Sequence, residues 1–114
     1  MIPAHWRPHR RTRDDELVGY LVGEGDAVVP VTVFGYPLAE PGRAAEAEGL
    51  LEADGLSVLA DPWYLRLDDG ETIRVRIREV DAERLTVVID DFGAGGNLND
   101  AFVLAVPEAG RLSR

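Results

Sequence analysis

The chain has neither cysteine nor lysine, and all 12 of its basic residues are arginines. Without cysteine there are no disulfides, thiolate nucleophiles or cysteine-bound zinc and iron–sulfur centres. Without lysine there is no Schiff-base chemistry, and neither a P-loop nor a kinase site is complete. No apolar run approaches the roughly 18 residues of a membrane-spanning helix. Arg10-Arg11 could begin a twin-arginine export signal, but such a signal continues with an apolar run, and residues 14–16 are acidic. We therefore expect a soluble, cytoplasmic protein without a membrane partner.

Charge is distributed unevenly along the 114 residues, which have a formal net charge of −9. Residues 1–13 contain Arg7, Arg10, Arg11 and Arg13 and no acidic residue. The other eight arginines stand against all 21 acidic residues, so the chain from residue 14 onward has a formal charge of −13. This pattern predicts a basic N-terminal arm, residues 1–13, joined to a single β-rich domain, residues 14–114.

Six segments have the composition and alternation of β-strands, and one has helical spacing. Between residues 72 and 79, isoleucine and valine alternate with arginine, which predicts one buried face and one exposed face. Alanine and leucine recur at helical spacing further upstream. We predict strands at 16–22, 27–34, 63–67, 72–79, 84–90 and 101–106 and a helix at 43–54.

The first two predicted strands form a hairpin. A four-residue loop at 23–26 would pair Val22 with Ala27 and give the hairpin a single core face. Pro30 has no N–H to donate, so its strand is predicted to be an edge or to be bulged. The core face would contain Val18, Tyr20, Val22, Val29, Val31 and Val33.

Glycine marks two further turns. The three-residue turn Asp68-Asp69-Gly70, with Gly70 in the left-handed conformation, would pair Leu65 with Ile73. Gly55 follows the helical segment and would end the helix in the left-handed conformation.

Together these elements predict a mainly β protein of the α+β class. We expect an antiparallel six-stranded small barrel or curled sheet, with one short helix inserted after the second strand. A flat open sheet with the helix on one face is the alternative, and turn spacing does not decide between them.

The segment 90–100 concentrates carboxylate and amide oxygens, which are the ligands that calcium prefers. Its spacing differs from that of an EF-hand, because two aspartates are adjacent and no acid closes a twelve-residue loop. Asparagine and aspartate are also common turn residues. We therefore interpret the segment as a hairpin loop, predict no metal and no cofactor, and retain as weak candidate ligands only Asp90, Asp91, Asn97, Asn99 and Asp100.

No residue is predicted to be catalytic. His5 and His9 are four residues apart, but Pro8 between them opposes the helix that would bring the imidazoles together. The adjacent aspartate pairs fit turns better than converging acid/base groups. A small-ligand-binding barrel or a carboxylate enzyme remains an alternative hypothesis, because a pocket is not visible in a sequence.

Arginine and tryptophan side chains are the candidates for binding. Arg74, Arg76 and Arg78 would form a stripe that suits a phosphate or carboxylate ligand, or a solvated face paired with acids such as Asp90. Trp6 lies among arginines and can anchor in an apolar groove or stack on a nucleic-acid base. The predicted interaction residues are Trp6, Arg7, Arg10, Arg11, Arg13, Arg74, Arg76 and Arg78.

The leading hypothesis is a non-catalytic accessory or protein-interaction module that associates with itself, for example as a homodimer. In this hypothesis Trp6 anchors the arm, the four arginines steer it, and the strand that contains Pro30 pairs at an exposed edge. Nucleic-acid binding through the arm is the alternative hypothesis. It ranks lower because the acidic domain would compete for the arm.

Several short runs resemble sequences of known proteins. They are HWRPHRR at 5–11, ELVGYL at 16–21, FGYPL at 34–38, GLS at 55–57 and DPW at 61–63. In these runs the chain resembles small uncharacterised proteins of actinobacteria, over about the first two-thirds of its length. The resemblance implies a complete, cytoplasmic, single-domain protein and provides no activity, substrate or binding residue.

Overall fold

Eight β-strands and one α-helix are present in the computed structural model, which describes residues 1–90, 101–108 and 110–114. The strands form an antiparallel three-stranded sheet and a curled antiparallel five-stranded sheet. No helix among these residues has the length and apolar character needed to span a membrane. The helix α1 spans Ala44–Asp54, and a short 3₁₀ helix spans Ser57–Ala60. The strands are β1 (Arg7–Arg10), β2 (Leu17–Val22), β3 (Val29–Val31), β4 (Trp63–Arg66), β5 (Thr72–Val80), β6 (Arg84–Ile89), β7 (Ala101–Ala105) and β8 (Leu112–Ser113).

The five-stranded sheet, in the order β7-β6-β5-β4-β8, carries the main core on its inner face. Ile73 and Val75 of β5 are buried while the arginines beside them are exposed, as the alternation predicts. Leu65 lies opposite Ile73, and Gly70 has a φ of 90°, which confirms the predicted turn and its register. The β-rich antiparallel fold with one helix is therefore confirmed. The predicted number of six strands is wrong.

Aromatic side chains link the two sheets. Trp63 of β4 is fully buried and donates its indole N–H to the carbonyl oxygen of Val58 in the 3₁₀ helix at 2.9 Å. Phe34, which follows β3, packs edge-on against Trp63 with ring centroids 5.2 Å apart. Tyr36 contacts the same indole at 4.8 Å. The segment after the three-stranded sheet is therefore part of the core of the five-stranded sheet.

Both faces of the β2–β3 hairpin contain buried residues. Leu21 lies in a buried cluster with Leu51 of α1, and Pro30 opposite Leu21 is also fully buried. Tyr20 and Val31 are buried on the other face. The prediction of a single core face for this hairpin is wrong, because α1 covers the face that would otherwise meet solvent.

The register of this hairpin also differs from the prediction. Val22 lies opposite Val29 rather than Ala27, so six residues, 23–28, separate the paired strands. The N–H of Ala27 donates to the carbonyl oxygen of Glu24 at 3.0 Å within this connection. The shift is two residues, and it preserves which side chains share a face.

β1 and β8 are the two strands that the sequence analysis does not include. β1 has the sequence RPHR, without hydrophobic alternation, and it pairs with β2. β8 is only two residues long and pairs with Tyr64 and Leu65 of β4. Both strands form because a neighbouring strand offers unpaired backbone groups, which a local pattern does not reveal.

Position 55 requires glycine for a reason other than the predicted one. Its backbone is right-handed, with φ −56° and ψ −38°, so the prediction of a left-handed residue is wrong. A Cβ at this position would lie 2.2 Å from the carbonyl oxygen of Val18 and 2.5 Å from that of Leu51. Glycine at 55 therefore permits the end of the helix to approach β2 closely.

Candidate functional site

Most guanidinium groups of the basic N-terminal segment contact the chain itself. Arg7 and Arg10 donate to backbone carbonyl oxygens at 2.7 and 3.0 Å. Arg11 forms two hydrogen bonds with the carboxylate of Asp14, at 2.6 and 3.0 Å. Arg13 is exposed. Three of the four arginines therefore bind acceptors of their own chain, and the division into an arm and a domain stays a prediction.

Trp6 packs against the three-stranded sheet. Its ring centroid is 6.0 Å from that of Tyr20, and its backbone N–H donates to the carbonyl oxygen of Pro3 at 3.1 Å. Tyr20 is only 8% exposed, and burial raises the pKa of its hydroxyl group. Trp6 therefore contacts the three-stranded sheet through the ring of Tyr20.

In the described part of the chain, three carboxylates have a lowered pKa because they accept hydrogen bonds. The side-chain bonds from Arg11 lower the pKa of Asp14 to about 2. The backbone N–H of Thr12 lowers the pKa of Glu52, and the N–H groups of the turn after β5 lower that of Asp81. Asp14 links the end of β1 to the start of β2, and Glu52 links the segment after β1 to α1. Asp81 lies in the turn that joins β5 to β6.

Acid is expected to destabilise the protein through these carboxylates. A carboxylate whose pKa is lower in the folded state stabilises the fold above its unfolded pKa, and this contribution is lost as pH falls through the folded value. The urea midpoint should therefore decline between about pH 4.5 and pH 2. Asp14→Asn should flatten this decline, whereas Asp15→Asn, at the exposed carboxylate next to it, should not. A wild-type profile for Asp14→Asn would contradict this assignment.

The arginines of β5 do not have equivalent positions. Arg74 donates its Nε–H to the backbone carbonyl oxygen of Asp90 at 2.8 Å, not to the Asp90 carboxylate. Arg76 is exposed and lies opposite Val88 of β6. These two arginines share the outer face of the five-stranded sheet.

Arg78 is separated from this row by a β-bulge. The β5–β6 register shifts between Ile77 and Glu79, so that Glu79 lies opposite Thr86 and Arg78 is the additional residue. Arg78 instead lines a groove beside the 3₁₀ helix. The alternating sequence alone cannot indicate a bulge, because the extra residue is defined by its partner strand.

The candidate metal ligands lie mostly outside the described residues. Asp90 is described, and its backbone N–H donates to the carbonyl oxygen of Arg74 at 2.9 Å. Asp91, Asn97, Asn99 and Asp100 fall in the range that is not described. In residues 1–90, 101–108 and 110–114, no three metal-binding side chains converge. The absence of a metal and a cofactor stays a prediction.

The outer edge of β7 is a feature that the sequence analysis does not single out. The N–H of Val106 donates to the carbonyl oxygen of Glu83 at 3.0 Å, so the backbone groups of Val106 at this position face β6. Pairs in an antiparallel ladder alternate between bonded and non-bonded. It follows from the β6–β7 register that Ala101, Val103 and Ala105 direct their N–H and C=O groups away from β6. Within the described part of the chain, no backbone hydrogen bond reaches these groups.

The side chains of β7 are all apolar and uncharged. Val103 is 62% exposed, and Ala101 and Ala105 beside it are also exposed. Phe102 and Leu104 point to the core, where Phe102 is half-buried. An unpaired strand edge of this kind is a template for another strand.

The edge formed by β3 is covered by the chain itself. Pro30 lies in an edge strand, as predicted. Its carbonyl oxygen accepts the N–H of Leu38 at 2.8 Å, and Val28 and Gly42 exchange two hydrogen bonds at 2.8 and 3.0 Å. The predicted edge pairing through the strand that contains Pro30 is therefore wrong, because segment 36–42 occupies that edge.

The edges formed by β1 and β8 are protected by residue type. β1 contains two arginines, His9 and Pro8, which has no N–H to offer a partner strand. β8 is two residues long and lies between Arg111 and Arg114. Short strands, charges and proline are the usual protections of a sheet edge, and β7 has none of them.

A groove of about 380 Å³ lies between β2, the 3₁₀ helix and the β5–β6 hairpin. Tyr20 and Leu17 form its wall on β2, and Leu59 borders it from the 3₁₀ helix. Residues from distant parts of the chain meet here, so no sequence pattern could reveal it. Its existence supplies the pocket that the small-ligand hypothesis requires.

No family model, curated protein or solved structure matches the chain. The resemblance to actinobacterial proteins stays a prediction.

Proposed function

We propose that the protein is a non-catalytic interaction module that associates with a second copy of itself through antiparallel pairing of β7. The observation that supports this proposal is the open edge of β7, whose outward backbone groups are unpaired within the described residues. Addition of a strand to an open sheet edge is a recurring mode of protein recognition, in which backbone hydrogen bonds provide affinity.

The sequence of β7 favours a second copy as the partner. The strand reads AFVLA, with Val103 at its centre and alanine at both ends. In antiparallel pairing about a two-fold axis, Val103 lies opposite its own counterpart and Ala101 lies opposite Ala105 of the second copy. These three residues are the ones with outward backbone groups, so three donors and three acceptors in each copy are satisfied by six hydrogen bonds.

The side chains fit the same arrangement. Phe102 would lie opposite Leu104 of the second copy on the inner face, where the half-buried ring gains apolar contact. The alanines at both ends leave space for the neighbouring strand. Because the contact involves one short strand per copy, we expect a weak dimer with a dissociation constant in the micromolar range.

Replacing Val103 by lysine tests the proposal. Two lysines would face each other at the centre of the dimer, and the apolar contact would be lost, so we expect association to weaken about tenfold or more. Val103→Thr keeps a β-branched side chain and should associate within about threefold of wild type. Sedimentation velocity over a concentration series measures both, and urea unfolding verifies that each variant is folded.

Val103→Pro provides a second, backbone-specific test. The N–H of Val103 points away from β6, so proline removes a donor to the second copy and none to β6. Dimerisation should be lost while the domain stays folded. A wild-type chain that is monomeric at all concentrations, or a dimer that tolerates both lysine and proline at 103, would contradict the proposal.

Salt distinguishes this proposal from nucleic-acid binding. Each copy has a formal charge of −9, so screening should strengthen association between two copies. Binding of nucleic acid by arginines would instead weaken with salt. The hypothesis of nucleic-acid binding through residues 1–13 gains no support from the contacts of Arg7, Arg10 and Arg11 with their own chain.

A further inference from the structure

We propose that the groove between β2, the 3₁₀ helix and the β5–β6 hairpin binds a small amphipathic amine, a ligand with one apolar group and one ammonium group. No residue of β7 lines the groove, although Glu79 and Asp81 at its border also line a cleft with Val103. Its volume of about 380 Å³ lies within the range of ligand pockets in proteins.

The lining of the groove is mostly apolar. β2 contributes its wall, the 3₁₀ helix and the residue before it contribute one side, and the end of β5 contributes the other. Such a surface stabilises the hydrocarbon part of a ligand by removing it from water. The apolar lining residues that the argument uses are Leu17, Tyr20, Val33, Leu56, Leu59 and Ile77.

The border of the groove is predominantly acidic. Glu16, Glu79 and Asp81 line it, against one arginine, Arg78. Among the ion pairs of the described residues, none involves Glu16, Glu79 or Arg78. The Oδ1 atom of Asp81 already accepts two N–H groups of its own turn, both at 2.8 Å. Glu16 and Glu79 are therefore the carboxylates that favour a cation.

Tyr20 adds a second reason to expect an ammonium group. An aromatic face attracts cations, and the ring of Tyr20 is held by contact with Trp6 at 6.0 Å. The lining of the groove has three carboxylates and a single guanidinium, and Arg10 adds a second positive charge near Tyr20, so negative charge is in excess. Charge complementarity thus selects an amine over a carboxylate or phosphate of the same shape.

Three probes of matched shape test this selection on the full chain: 4-phenylbutylamine, 4-phenylbutan-1-ol and 4-phenylbutyrate. Isothermal titration calorimetry should show the tightest binding for the amine, weaker binding for the alcohol and the weakest for the acid. Added salt should reduce the affinity for the amine and leave that for the alcohol unchanged.

Two variants locate the site. Glu16→Gln combined with Glu79→Gln should weaken amine binding about two- to fivefold for each carboxylate removed, with no effect on the alcohol. Glu24→Gln, an exposed control in the β2–β3 connection, should leave all three affinities unchanged.

Ala82→Trp places a large side chain at the border of the groove and should abolish binding of all three probes. Val103→Pro, which adds no charge beside Glu79 and Asp81, should bind the amine like wild type.

Other outcomes would overturn the proposal. Equal or tighter binding of 4-phenylbutyrate would exclude recognition of an ammonium group. Amine binding that survives both Ala82→Trp and the double glutamine variant would place the site elsewhere. If the Ala82→Trp variant is monomeric under conditions in which the wild type and Val103→Lys are dimeric, a second copy occupies the groove. Both this proposal and pairing through β7 are then wrong.

Discussion

Val75→Asp is expected to unfold the protein, whereas Arg76→Asp, one residue further along the same strand, is not. Val75 is fully buried in β5 and lies between Trp63 and Ile89, which are themselves buried. An aspartate there would have no basic side chain opposite it, and the indole N–H of Trp63 already donates to Val58. Burying an unpaired carboxylate costs several kcal/mol, against a total stability of about 5–15 kcal/mol for a domain of this size.

Arg76→Asp introduces the same residue on the other face of β5. Arg76 is exposed, so the carboxylate stays in water, and the change should lower stability by no more than about 1 kcal/mol through the poor strand propensity of aspartate. Far-UV circular dichroism and urea unfolding compare the two variants. If both variants unfold, or if both stay folded, the assignment of the inner and outer faces of β5 is wrong.

Gly19→Ala is expected to produce the second large effect. Gly19 has a φ of 149°, which side-chain-bearing residues rarely adopt. A Cβ would lie 2.3 Å from the carbonyl oxygen of Val31 and 2.8 Å from the Cδ2 atom of Leu51, which is fully buried. The oxygen belongs to the neighbouring strand β3, so relief requires β2 and β3 to separate. Strain and overpacking together should cost about 3 kcal/mol or more.

Gly49→Ala is the matched control for this substitution. Gly49 lies on α1, and a Cβ there has no atom within 4 Å among its neighbours. Alanine should raise stability by about 0.5–1 kcal/mol, because glycine in a helix interior is destabilising. In thermal unfolding we expect Gly19→Ala to lower the midpoint by about 10 °C or more and Gly49→Ala to raise it by a few degrees. A small or absent loss at Gly19 would contradict the close packing of α1 on β2.

Local patterns were sufficient for the regular part of the fold. Ile73 and Val75 alternate with arginine, and the aspartate-rich turn at 68–70 ends in a glycine, so both strand faces and the register of Leu65 followed from nearby residues. Side-chain alternation and turn conformation depend on neighbours in sequence. They are therefore visible before any tertiary contact is known.

Other predictions failed where a distant segment decides the outcome. The position of Gly55 after the helix predicts a left-handed conformation, but its backbone is right-handed and it permits close approach to the carbonyl oxygen of Val18. The strand that contains Pro30 was expected to be open, but segment 36–42 covers it. Arg78 was grouped with the other arginines of β5, but a bulge defined by β6 moves it to the groove.

The candidate interaction edge shows the same division. The apolar sequence of β7 predicts a strand between 101 and 106, and the structure has it at Ala101–Ala105. Whether that strand lies inside a sheet or at its border depends on the order β7-β6-β5-β4-β8, which no local pattern contains. The sequence by itself determined strands β2 to β7, the helix, the alternating faces of β5, and the chemistry that the lack of cysteine and lysine excludes. The tertiary structure alone decided which edge stays open and which residues surround the groove, because pairing order and cavities arise from contacts between segments that are far apart in the chain.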